Sequence, residues 1–292
     1  MFASRTIIAI PAAVIALLGC GSGTGGNAPS NAAVIGLPAP ISSTNWTLSG
    51  VPCALIPVPA AAPLGTGTCP GVRPGAIVRS DVGQCTLNFL FLGSDGASYI
   101  GTAGHCILGT SPVGGDVGEM SWAPGTGPVA RDTDGNPIGE FAYAILQDPK
   151  DFSLIRLDPL VQASAGMCHF GGPTAVNDDR PTLTEPVTLN WFGNGIVAGT
   201  VLPARSALAA GMPSPDHVFA QGVATPGDSG SGVISSDGRA VGVLVTVGVH
   251  AASLGSSGGD AGLIGITRLT PQLERAGQVL GTNLVLQLAP IQ

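Results

Sequence analysis

From Ala76 onward the chain is cut into short apolar runs by glycine- and proline-rich punctuation, and this interruption limits the fold more than any other feature. Thr86 to Leu92 is followed by the turn Gly93-Ser94-Asp95-Gly96 and then by Ser98 to Gly101. Runs of this kind, rich in β-branched and aromatic residues, suit pleated strands, and the residues between them suit tight turns. Further strands are expected at Pro137–Leu146, Phe152–Leu157, Val187–Phe192, Gly195–Leu202, His217–Gln221, Gly232–Ile234, Ala240–Val249 and Leu263–Leu269. With 45 Gly and 25 Pro in 292 residues, and aliphatic residues plentiful, the chain reads as all-β rather than disordered. Residues 161–181 carry little strand signal and form the crossover between two halves. Thr270-Pro271 reads as a helix N-cap followed by proline at the first helical position, with the helix running to about Leu280 and stopped by Gly281. Asn283–Leu288 would add one more strand.

Charge narrows the range of partners. Charged residues make up 10% of the chain, the net charge is −7, and Lys150 is the single lysine. No basic stripe is present, so nucleic acid is not an expected partner. No metal or cofactor is expected either. Cys168-His169 stands apart from any C-x-x-C spacing. Asp132-Thr133-Asp134-Gly135-Asn136 has oxygen ligands but reads as a hairpin turn.

The N-terminus reads as an export signal. Arg5 precedes an apolar run from Thr6 to Leu18, shorter than the ~20 residues needed to span a bilayer. The run ends Leu17-Leu18-Gly19-Cys20, similar to a bacterial lipoprotein cleavage box in which Cys20 becomes the lipidated first residue. The alternative is an ordinary secretory signal cut further on, near Ala32-Ala33. Either way the mature chain meets an oxidising compartment. Residues 1–20 are thus a lipoprotein-type signal peptide, and residues 21–73 a Gly/Ala/Pro-rich tether, propeptide or arm.

The chemistry concentrates in Gly227-Asp228-Ser229-Gly230-Ser231-Gly232. A serine hydroxyl attacks well only when a base takes its proton and donors receive the charge it creates. Glycines on both sides let backbone N–H groups turn into a site, although Gly/Asp/Ser clusters are also what ordinary turns are made of. Two further segments decide between these readings. One is Gly101-Thr102-Ala103-Gly104-His105-Cys106, and the other is Asp151-Phe152-Ser153-Leu154-Ile155-Arg156-Leu157. Asp148 and Asp158 lie near Asp151, but the Phe152-Ser153-Leu154-Ile155 context selects Asp151.

These three segments, in this order, resemble the trypsin/chymotrypsin-like serine peptidases of the bacterial branch over about residues 74–275. The resemblance implies two six-stranded antiparallel β-barrels with a short C-terminal helix. The peptidase domain would span 74–281, with barrels at about 74–160 and 182–270 and a C-terminal strand or tail at 282–292. It implies a catalytic triad of His105, Asp151 and Ser229, an oxyanion hole from the N–H groups of Gly227 and Ser229, and a disulfide between Cys85 and Cys106. Family members activated by trimming pair the aspartate of this motif with a new N-terminal amine. No Ile-Val-Gly-Gly start occurs here, so Asp228 needs another partner.

Specificity and the remaining cysteines are less constrained. The position six before Ser229, acidic in trypsin, is Val223, and the pocket strand carries Val245, Thr246 and Val247. Small or apolar side chains are therefore expected ahead of the cut bond. His250 near the strand end would favour an acidic substrate, but reads more simply as a surface histidine, as do His169 and His217. For a second bridge, Cys53–Cys69 is the simplest pairing, and its rival ties Cys168 to Cys53 or Cys69. The expected function is an exported serine endopeptidase acting on protein or peptide substrates and reaching the membrane only through a lipid anchor. A peptidase-fold binding protein and an esterase are the alternatives. The oligomeric state is not fixed by the sequence.

Overall fold

The computed structural model describes residues 69–109, 117–147, 150–179, 187–197, 200–201, 203–209, 215–247 and 261–292. The first half contains β1 (Ile77–Arg79), β2 (Gln84–Thr86), β3 (Leu90–Gly93), β4 (Ser98–Thr102), the single turn α1 (His105–Leu108), β5 (Gly118–Ser121), β6 (Val129–Arg131), β7 (Pro137–Gln147) and β8 (Lys150–Leu157). The second contains β9 (Val187–Phe192), β10 (Ile196–Val197), β11 (Thr200–Val201), β12 (Ala204–Ala209), β13 (His217–Val223), β14 (Gly232–Ser235), β15 (Ala240–Val247) and β16 (Ala261–Arg268). It is followed by α2 (Leu269–Leu280) and β17 (Leu284–Leu286).

The all-β double-barrel class expected from the resemblance holds. The second half closes as a six-stranded antiparallel barrel in the order β12-β13-β16-β15-β14-β9. The first half is a nine-stranded sheet in the order β17-β3-β4-β8-β7-β6-β1-β2, with β5 also on β7. Two apolar clusters are buried; the first is centred on the first half but also takes in Phe192, Ile234, Val243 and Val245, and the second lies within the closed barrel. Phe89, Phe91, Tyr99, Phe152 and Leu154 fill the first, and Leu189, Trp191, Val218, Val233 and Ile266 fill the second. Burying a side chain of this size contributes about 1.5–3 kcal/mol.

Local chemistry sets the element boundaries. The Thr86–Leu92 run divides between β2 and β3, because Leu87 and Asn88 turn their N–H groups to Ala76 and Gly101. In the Asp132–Asn136 hairpin, Asp132 Oδ1 accepts from the N–H groups of Asp134 and Asn136 at 2.9 and 2.8 Å, which closes the β6–β7 turn. α2 ends where expected, at Gly281 in the left-handed conformation (φ 64°). It begins one residue before Thr270, with Arg268 at the N-cap, so Thr270 is not the cap. The Thr270 hydroxyl instead donates to Asp178 Oδ1 at 2.6 Å, tying the helix to the crossover.

The segment joining the halves is stitched on both sides. Val72 bridges Ala163, and the Cys168 N–H donates to Pro74 O at 3.1 Å. This brings Cys69 and Cys168 to a Cα separation of 5.7 Å, and they form a disulfide. The simple Cys53–Cys69 pairing is therefore incorrect. Sequence proximity favoured it, but residues 69–74 run alongside the crossover and deliver Cys69 to Cys168. Cys20 and Cys53 lie outside the described residues. The tail covers the opposite side: β17 adds to β3, and Ala289 and Gln292 then donate to Pro173 and Phe170. Among the described residues no helix is long and apolar enough to cross a membrane.

Candidate active site

His105 follows β4 after Ala103 and Gly104 and opens α1, while Asp151 is the second residue of β8. β4 and β8 are hydrogen-bonded neighbours with Thr102 opposite Ser153, so the pairing register brings the two residues together across 46 positions. The Asp151 carboxylate grips His105 twice. Oδ2 lies 2.7 Å from the ring Nδ1, and Oδ1 accepts the His105 backbone N–H at 2.9 Å. Both residues are buried. The Ser153 hydroxyl donates to Ala103 O at 2.8 Å and fixes the approach to His105. Gly104 is required by close packing, since a Cβ there would collide with the Ile145 carbonyl and stand 3.1 Å from Asp151 Oδ1.

The expected Cys85–Cys106 disulfide is present, with a Cα separation of 6.2 Å, and it clamps α1 to β2. Cys85, His105 and Cys106 present their ligand atoms within 4.8 Å of one another. The two sulfurs are consumed by their mutual bond, which leaves His105 as a lone nitrogen ligand and gives no metal-binding set.

Ser229 arrives from the second barrel on the turn between β13 and β14. Its carbonyl accepts the Thr86 N–H at 2.8 Å. Gly230 (φ 88°) is pressed so closely on this segment that a Cβ would collide with Thr102 Oγ1 and Thr86 O. The Ser229 turn is thus seated on the strand ends that lead to His105. Ser229 is half-buried, and no hydrogen bond joins its hydroxyl to His105.

The backbone donors of this turn fall into two sets. Asp228, Gly230 and Ser231 give their N–H groups to Thr225 O, Leu244 O and Asp228 O. The N–H groups of Gly227 and Ser229 have no acceptor among the described residues. They flank the Gly227–Asp228 peptide that leads to Ser229.

Asp228 is fully buried beneath the turn and finds its partner in Arg205. The Arg205 guanidinium pairs with Asp228 Oδ2 and also donates to Gly195 O at 2.7 Å. Gly195 N–H and Thr225 N–H reach the Asp228 carboxylate at 2.7 and 2.8 Å. Burial pushes the Arg205 guanidinium down to about 10, which leaves it a cation at neutral pH. Arg205 is thus the internal partner that Asp228 needs. Sequence reading did not find Arg205. Its one signal is an isolated cation in Ala204-Arg205-Ser206-Ala207, where a charge so flanked by alanines has to be paired inside.

The expected pocket residues are only partly brought together. Val223 ends β13 opposite Ala261, and Val245 is buried at a bulge in β15. These strands stand on either side of β16, where Thr246 pairs with Gly265 and Val247 with Ile264. His250 lies outside the described residues. His217 is buried and stacks on Phe219 at 5.0 Å, away from the surface role expected of it. His169 packs edge-on against Phe170.

No family model matches the chain, and no curated protein matches it. Among solved structures, it is similar to a glutamic acid specific serine protease at 15% identity, over 73% of this chain and 100% of that one, with a TM-score of 0.48. It is similar to a Nocardiopsis protease at 15% identity, over 74% of this chain and 98% of that one, with a TM-score of 0.47. It is also similar to a Cellulomonas bogoriensis chymotrypsin at 16% identity, over 74% of this chain and 99% of that one, with a TM-score of 0.47. At these identities the likeness is one of fold alone.

Proposed function

We propose that the chain is an exported serine endopeptidase that cleaves peptide bonds through Ser229, His105 and Asp151. One observation carries this reading: the Ser229 turn, with two unused N–H groups, sits on the segment whose His105 is held by Asp151. The bond to Asp151 keeps the proton of the neutral imidazole on Nδ1, so Nε2 is the nitrogen free to act as base. Ser229 Oγ attacks the scissile carbonyl carbon while His105 Nε2 takes the hydroxyl proton. The carbonyl oxygen becomes an oxyanion and receives the N–H groups of Gly227 and Ser229. His105 then protonates the leaving amine as the C–N bond breaks, which leaves an acyl-serine. Water repeats the sequence, with His105 again as base, and releases the acid. The Arg205–Asp228 pair supports a site that needs no new terminus to form.

Val223 and Val245 favour small or apolar residues ahead of the cut bond. Two disulfides are consistent with export, and anchoring through Cys20 completes the reading as an envelope lipoprotein. A fluorophosphonate probe should label the wild type and not Ser229→Ala. An unlabelled wild type would refute the enzyme, and casein and ester panels then separate peptidase from esterase. Cys20→Ser should release the protein from membranes. Unchanged fractionation would refute the anchor.

A further inference from the structure

The oxyanion donors proposed above flank the Gly227–Asp228 peptide, so the direction of that peptide decides whether both donors meet one oxygen. The peptide is held at both ends. Its N–H donates to Thr225 O at 3.0 Å, and its carbonyl accepts the Thr86 hydroxyl at 2.8 Å. Thr86 belongs to the other barrel and is fully buried.

The hydroxyl proton of Thr86 has no alternative direction. Asn194 Nδ2 lies 2.9 Å from Gly75 O and 2.8 Å from Thr86 Oγ1. A carbonyl only accepts, so the Asn194 atom facing both partners is the amide nitrogen, which only donates. Thr86 Oγ1 therefore accepts from Asn194 and must spend its single proton on Gly227 O. The backbone of Thr86 completes the junction. Its N–H goes to Ser229 O, its carbonyl accepts Thr102 Oγ1 at 2.9 Å, and its neighbour Cys85 is bonded to Cys106 beside His105.

We propose that Thr86, backed by Asn194, is a positioning residue that aligns the oxyanion turn with His105 across the two barrels. The proposal rests on the functional reading above. Thr86→Val keeps the side-chain shape and both backbone bonds while removing the hydroxyl. Its kcat for a peptide substrate should fall about 10- to 100-fold, the scale of a slightly misplaced site, with KM nearly unchanged. Binding of a peptide boronic acid, whose tetrahedral adduct places a charged oxygen in the hole, should weaken in parallel. Thr86→Ser should restore most of the rate, and Asn194→Ala should fall between. Amide exchange across 224–231 should quicken in Thr86→Val whether or not the protein is active. A merely structural Thr86 would lower the melting temperature and leave kcat and boronate binding alone. Unchanged kcat and unchanged boronate binding in Thr86→Val would overturn the proposal, whatever the melting temperature and the exchange. Should the wild type be inert to fluorophosphonate, the enzyme reading fails instead, and exchange alone then decides whether Thr86 holds the turn.

Discussion

Replacing Arg205 with methionine removes the counter-ion of a carboxylate that has no access to water. Asp228 is fully buried, and the Arg205 side chain is only 4% exposed. The N–H groups of Gly195 and Thr225 remain, so the variant leaves a negative charge with neutral donors and no cation. Breaking a buried pair in this way costs about 3–5 kcal/mol. A domain of this size loses about 2–4 °C of melting temperature per kcal/mol, which gives a fall of about 6–20 °C. The loss also reaches chemistry, because Asp228 underlies the turn that carries Ser229, so fluorophosphonate labelling should slow. The double variant Arg205→Met with Asp228→Asn removes both charges and keeps an amide oxygen for the Gly195 N–H. It should regain at least half of the lost melting temperature. Thermal melts followed by circular dichroism measure both variants. An Arg205→Met melt indistinguishable from wild type would refute the reasoning, and so would a double variant less stable than the single one.

Two further outcomes follow from the scaffold. Peptide mapping without reduction should recover Cys69 joined to Cys168, and Cys168→Ser should cost about 2–5 kcal/mol in a melt, as expected for opening a native bridge across 99 residues. The bidentate Arg275 guanidinium, with the Tyr143 hydroxyl beside it, holds the Glu119 carboxyl below its ordinary 4.5 and docks α2 on β5 and β7. A carboxyl held low contributes stability that is present above 4.5 and lost as pH falls through the lower folded value. Glu119→Gln should therefore melt earlier than wild type at pH 7, and the difference should close in acid. A constant difference across that range would contradict the bridge.

What was readable in the sequence was local. β9 starts and ends at the expected Val187 and Phe192, and α2 stops at Gly281, because alternation and a glycine C-cap act within a few residues. The three motifs that resemble the peptidases were also legible, since each is a contiguous stretch. β12 was not, because its Ala204–Ala209 sequence is rich in alanine, which has little strand preference. Missing β12 meant missing Arg205, the partner of Asp228. Thr86 and Asn194 escaped for a related reason: an isolated threonine or asparagine signals nothing until the two barrels meet. The bridge from Cys69 to Cys168 likewise depends on residues 69–74 lying beside the crossover, which spacing does not encode.

Under the proposed mechanism Ser229 and His105 act as one unit. The most direct test is the turnover number of Ser229→Ala, His105→Ala and the double variant on one peptide substrate. Each single variant should lose about 10⁴- to 10⁶-fold, and the double variant should be no slower than the singles, because removing either partner already disables the unit. Residual rates that multiply in the double variant, or a Ser229→Ala protein that still turns over near the wild-type rate, would contradict it.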